Sequence, residues 1–198
     1  MRISSLKFLS FGLALASLVA AGGASAQSLV GVNTSLDHTL DSRKAASGEV
    51  VTTRLDNTVT TADGTKLPKG TELIGKVADV KKANDAVTLS LVFTTAKLKD
   101  GKQIPVKATV LAAFPQVNEV DEAVGGAAQQ PAPEHVASDG AFNQEAGALA
   151  HVALNSAVKS SDSGTFSSDK GDFRLQAGTN LQMGIASANA SSGLNAAE

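Results

Sequence analysis

Apolar and polar residues alternate along much of the first half of the chain. In AVTLSLVFT, Val87, Leu89, Leu91 and Phe93 fall on one side and Thr88, Ser90 and Thr94 on the other, the period of a strand with one buried face. EVVTTRLDNTVTT (49–61) is rich in β-branched residues and follows the turn pair Ser47-Gly48, which predicts a second strand. ELIGKVADV (72–80) and KQIPVKATVLAAF (102–114) give two more. Pro105 has no amide to donate, so its end of the last strand is expected at an edge or a bulge.

Turn chemistry separates these runs. In LPKGTELIGKV, Pro68 presets φ for the first central position of a turn and Gly70 supplies a positive φ, after which Leu73 and Val77 share a face of the next strand. Asp100-Gly101 in KDGK predicts a tight hairpin with both residues at positive φ. Closely spaced strands joined in this way make the chain mainly β, with a small antiparallel β-barrel or sandwich over residues 27–115.

The pattern changes after Pro115. Residues 116–148 contain no Lys or Arg but six acidic residues, Glu119, Asp121, Glu122, Glu134, Asp139 and Glu145, and GGAAQQPAPE has linker composition. Residues 116–172 therefore read as a long flexible insertion. Within it Phe142, Ala146, Leu149 and Ala153 stand near helical spacing and predict a short helix, capped by Ser138 or Asp139. FRLQAGTNLQMGI restores a strand pattern about Gly178, so residues 173–186 are expected to return to the β domain, leaving 187–198 as a disordered tail.

The first 26 residues have the three parts of a secretory signal peptide: a basic start at Arg2 and Lys7, the apolar run Phe8–Ala21, and Ala24-Ser25-Ala26 before Gln27. This predicts a cleaved leader and a periplasmic or extracellular protein with no membrane span in the mature chain. There is no cysteine, which excludes disulfides, thiol catalysis and thiolate metal sites. Trp and Tyr are also absent, so a sugar site built on stacked rings is disfavoured and the core must be aliphatic. The near balance of 17 basic and 19 acidic residues does not point to nucleic acid.

The runs LDHTLDSRKAASGEVVTTRL, LPKGTELIGKV, VTLSLVFTTAKLKDGKQIPVKATV and LQAGTNLQM resemble a group of small exported β-domain proteins of Acidobacteria-type bacteria. More distantly, the order strand-PKG-strand-DG-strand resembles the β-barrel domain of the TrbI-like scaffolds of type IV secretion channels. The first resemblance implies an envelope protein. The second implies an accessory subunit of a secretion or conjugation assembly, although a signal peptide leads here almost directly into strands, without the membrane helix and proline-rich region of those scaffolds. Neither implies catalytic residues.

Fragments that imitate active sites are weak. SAVK (156–159) and SSDK (167–170) have a serine-x-x-lysine spacing without the partner motifs, and DSG (162–164) lacks the apolar residues that precede a protease aspartate. His38, expected on the surface of the first strand, His135 and His151 show no metal-ligand spacing. No catalytic, cofactor or metal site is expected, and the protein reads as a non-enzymatic binding or structural module. One feature exceeds background: nine lysines against five acidic residues between Asp63 and Lys107. Lys66, Lys69, Lys97, Lys99 and Lys102 flank the two turns and form a candidate binding face for a protein or an anionic envelope polymer. The competing explanation is that lysines protect sheet edges.

Overall fold

The computed structural model describes residues 29–116, 132–133, 135–137, 139–149 and 151–188. The predicted leader (1–26), residues 117–131 of the acidic stretch, the predicted helix cap Ser138 and the end of the tail lie outside the described residues. The described chain forms β1 (Val30–Leu36), β2 (Leu40–Asp41), β3 (Val50–Leu55), β4 (Val59–Thr60), β5 (Lys66–Leu67), β6 (Glu72–Ala83), β7 (Ala86–Lys97), β8 (Gln103–Phe114), β9 (Ala141–Leu149), β10 (Val152–Ala157), β11 (Gly164–Ser168), β12 (Arg174–Leu175) and β13 (Asn180–Ser187).

Six strands close into an antiparallel barrel in the order β6-β3-β1-β13-β8-β7, with β6 pairing β7 to complete the ring. The stagger of a closed barrel is visible in the register. Ser35 faces Arg54, Arg54 faces Glu72, Glu72 faces Lys97, and Lys97 faces Gln103. Yet β8 meets β13 only from Val106, opposite Ser187, and Ile185 of β13 already faces Val30 at the start of β1. One circuit thus runs from the end of β1 back to its beginning. Pro105 lies just before β13 joins β8, where β8 has a single neighbour, as its missing amide requires.

Three bulges let the long strands coil. Thr94 is skipped between the pairs Ile74–Thr95 and Gly75–Phe93, Ala78 between Val77–Leu91 and Asp79–Ser90, and Leu111 between Gln182–Ala112 and Met183–Val110. Each extra residue swaps the face that later side chains take. In β7 the buried set runs Val87, Leu89, Leu91, Phe93 and then Ala96; in β8 it runs Ile104, Val106, Ala108, Val110 and then Ala113. Leu111, displaced to the outside, joins a separate apolar cluster with Leu29, Val136, Val158, Ala186 and Phe142. Both faces of β13 are consequently buried.

From Ala141 onward the described part of the insertion forms strands, not the linker with a helix that the sequence suggests. Beyond β7 the sheet continues through β11, β10 and β9. Phe142 and Leu149, seven residues apart, would share a helical face, but they lie on a strand whose pairing with β10 is irregular between Gln144 and Leu149. They pack against the outer and main clusters respectively. His151, at φ 61°, reverses the chain between β9 and β10. The segment 49–61 also divides, into β3 and β4, with Asp56 at the break accepting from Ser35 Oγ (2.9 Å) and Asn180 Nδ2 (3.2 Å). The return of 173–186 stands: Gly178, at φ 83°, sits between β12 and β13, and β13 enters the barrel between β1 and β8.

Ser163 occupies the fork where β7 leaves β8 and takes up β11. Its amide donates to Leu91 O (2.7 Å), its carbonyl accepts from Val110 N (2.7 Å), and its hydroxyl accepts from Phe93 N (2.9 Å). It is 2% exposed. A serine is needed because Phe93 N–H, buried at the fork, has no strand partner there.

Candidate functional site

The two turns of the lysine-rich region come together at one corner of the barrel. The first is closed by Thr71 N–H donating to Pro68 O (3.0 Å), so Pro68 is its first residue and Lys69 and Gly70 its centre. Pro68 therefore does not occupy the central position assigned from sequence; Gly70, at φ 82°, does have the expected positive φ, that of the third residue in a type II turn. Gly70 N–H donates to Leu55 O (2.8 Å) and Lys69 N–H to Thr58 Oγ1 (3.0 Å), which fasten the turn to β3 and its following loop.

The second turn is the β7–β8 hairpin. Gly101 N–H donates to Leu98 O (2.9 Å) and Leu98 N–H to Lys102 O (2.8 Å), enclosing a three-residue loop. Only Gly101 is left-handed (φ 86°); Asp100 is not, and instead its carboxylate accepts from Lys102 N (2.9 Å). The hairpin is the expected one, but it is built as a three-residue loop with a glycine bulge rather than as a two-residue turn.

Lys99 crosses from this hairpin onto the first turn: a Cβ on Gly70 would lie 2.8 Å from Lys99 Cε and 3.3 Å from Nζ. Beneath it runs a line of ion pairs that the sequence reading missed. Arg54 Nη2 meets Asp37 at 3.1 Å and Glu72 at 3.3 Å, and Lys97 Nζ meets Glu72 at 3.4 Å. The Asp37 carboxylate, by hydrogen bond and charge, raises the Arg54 pKa above its ordinary value. Arg54 lies outside the lysine-rich segment and joins the site through the register of β3 on β6. A cleft of about 260 Å³ opens between Arg54, Gly70, Glu72, Lys97, Lys99 and Gly101.

Lys66 and Lys69, beside and within the first turn, and Lys102, at the end of the second, are exposed. Together with Lys99 they make no ion pair with any described carboxylate. Two of the remaining lysines lie toward the other tip of the β6–β7 hairpin and are paired, Lys81 with Asp79 (2.9 Å) and Lys82 with Asp172 (3.4 Å). The nine lysines are thus not one face. Five gather at the corner, and the others are spread along the barrel.

The motif-like fragments have structural places. Ser156 donates to Val110 O from strand β10 and Lys159 follows in a turn, so the serine-x-x-lysine spacing does not lie on a helix. Ser168 accepts from Lys170 N (3.2 Å) at the end of β11, and the serine of DSG is the fork residue Ser163. His38 is exposed in a bend after β1 rather than on the strand, and His135 and His151 are exposed elsewhere. Among the described residues no three His, Asp or Glu side chains gather as a metal site, and no helix is long and apolar enough to cross a membrane.

No family model matches the chain, and no curated protein matches it. Among solved structures it is similar to ComB10 of the Com type IV secretion system of Helicobacter pylori, with a TM-score of 0.39 and 10% identity over 80% of this chain and 87% of that one. That score is too low to establish a common fold.

Proposed function

We propose that this chain is a non-enzymatic, exported envelope module that binds an anionic partner at the lysine corner. The supporting observation is that Lys66, Lys69, Lys99 and Lys102 lie on or beside two turns that Lys99 bridges and make no ion pair with a described carboxylate. Lysines that only protect sheet edges need no such convergence, and Lys81 and Lys82 show that neighbouring acids neutralise lysines elsewhere in the fold. The partner is an acidic protein segment or an anionic wall polymer, since either presents repeated carboxylate or phosphate charge to a solvated cationic corner.

The test is retention of the protein on immobilised polyglutamate and on purified anionic wall polymer across a salt series. Retention should weaken as salt rises, because screening acts within about 8 Å at physiological ionic strength. Changing Lys97, Lys99 and Lys102 to Gln should reduce it while leaving the melting temperature nearly unchanged, since exposed ion pairs contribute only about 0–1 kcal/mol. Retention that ignores both salt and these substitutions removes the reading; preference for one matrix identifies the class of partner.

A further inference from the structure

A second cleft, away from the lysine corner, lies where the outer β9–β11 sheet meets the barrel rim. Its volume is about 480 Å³, within the range of small-molecule sites. Pro115 just after β8, Leu149 and Val152 at the facing ends of β9 and β10, and Phe173 before β12 supply apolar lining, and the loop after β11 brings Lys170 to it. Phe173 and Val152 are 7% and 4% exposed, so the apolar part is a fixed portion of the packed core.

The charges bordering this cleft are mostly satisfied already. Arg174 Nε meets Asp41 at 2.8 Å, and Asp172 meets Lys82 at 3.4 Å. Lys170 alone among the charged lining residues has no described ion-pair partner. Its backbone is held, with its own amide on Ser168 Oγ (3.2 Å) and the following Gly171 amide on Asp85 O of the β6–β7 hairpin. His151, at the β9–β10 turn, adds an imidazole ring to the same border. The lining is therefore mixed: one cation without an ion-pair partner, an apolar strip, and the neutral polar groups of Gln116, Ser168, Gln176 and Thr179.

We propose that this cleft binds a small amphipathic anion, a single carboxylate carried on an apolar chain, with the carboxylate at Lys170 and the chain along Val152, Leu149 and Phe173. A doubly charged or fully polar ligand would leave either its second charge or the apolar wall without a partner.

The experiment is an amide chemical-shift titration of the full chain with decanoate, kept below its micelle-forming concentration, beside acetate and decanol. Decanoate should shift the amides of Leu149, Val152, Lys170 and Phe173 saturably, and acetate should not. Lys170→Glu should weaken decanoate by about fivefold or more, since it replaces an attraction by a repulsion, and should leave decanol unaffected. Lys99→Gln, at the other site, should change nothing. Equal binding of decanoate and decanol, shifts centred elsewhere, or indifference to Lys170→Glu would overturn the proposal.

Discussion

Strands β7 and β11 run side by side from Val87 to Leu91, yet they hold their places by different means. Strand β7 brings Val87, Leu89, Leu91, Phe93 and Ala96 to the core and is paired along one whole edge by β6. Strand β11, GTFSS, brings a single large apolar residue, Phe166, and is flanked by Ser163, whose backbone and hydroxyl bind both sides of the fork. The barrel is specified by repeated side-chain burial. The outer sheet is specified by a few well-placed groups, and each of them carries correspondingly more.

The sharpest test pairs the two fully buried rings, Phe93 at 1% and Phe166 at 0% exposure. Both belong to the main core cluster, together with Leu154 and Val152 of the outer sheet. Each change to Ala should cost about 3–5 kcal/mol, read as equal shifts of one unfolding transition. A small effect at Phe166 alone, or a separate early transition, would make the outer sheet an accessory to a self-sufficient barrel.

The fork is the next point of comparison. Ser163→Ala removes the acceptor of Phe93 N–H and leaves a buried donor unpaired, for an expected loss of about 1–3 kcal/mol. The neighbouring Ser167→Ala keeps the strand and should cost less than about 0.5 kcal/mol. Equal melting temperatures for the two variants would show that the fork is held by backbone pairing alone. At the barrel's own corner, Gly70→Val should cost about 1–3 kcal/mol, because it puts a β-branched residue on a left-handed backbone. Gly70→Val should cost nearly the same in a Lys99→Ala background, since the end of the Lys99 side chain can swing aside and the backbone strain remains.

The same difference explains what could be read in the sequence. The barrel strands carry strict alternation and Asp-Gly or Pro-Lys-Gly turns, both local signals, so strands 72–80 and 86–94, the hairpin and the closure by 173–186 were legible. The bulges at Ala78, Thr94 and Leu111 were not, since the parity change becomes meaningful only when the partner's register is known. Strands β9–β11 are rich in Ala, Ser, Gly and Asn, with few β-branched residues, and their propensity does not declare a strand. Their order comes from tertiary partners: Leu89 opposite Phe166, and Gln144 Oε1 accepting from Ala113 N at 2.8 Å. The two turns that carry Lys66, Lys69, Lys97, Lys99 and Lys102 were legible because turn signals are local. Arg54 and Glu72 were missed because only the β3–β6 pairing brings them there.

The smallest expected effect concerns a third kind of attachment, the β4–β5 ribbon, whose loop repeats the Asp-Gly design of the β7–β8 hairpin. Here Gly64 has φ 84°, and Thr61 N–H donates to Thr65 O (2.9 Å) while Gly64 N–H donates to Thr61 O (2.9 Å). The Asp63 carboxylate does more than that of Asp100. It accepts from the hydroxyls of Thr61 and Thr65, from Thr65 N, and from the Ser187 side chain at the end of β13. These hydrogen bonds, that of Thr61 foremost, hold its pKa down to about 2, from an ordinary value of 3.8. A carboxyl with a depressed folded-state pKa stabilises fully above its unfolded pKa, and the contribution disappears as pH falls through the folded value. Wild type should therefore exceed Asp63→Asn in melting temperature at neutral pH, and the gap should close between about pH 4 and pH 2. The gap should be small, because Asp63 is exposed and water screens its partners. An unchanged gap at pH 2 would mean that the loop ties the ribbon to β13 by shape and backbone bonding, as Ser163 ties the outer sheet, and that the carboxylate charge contributes nothing to it.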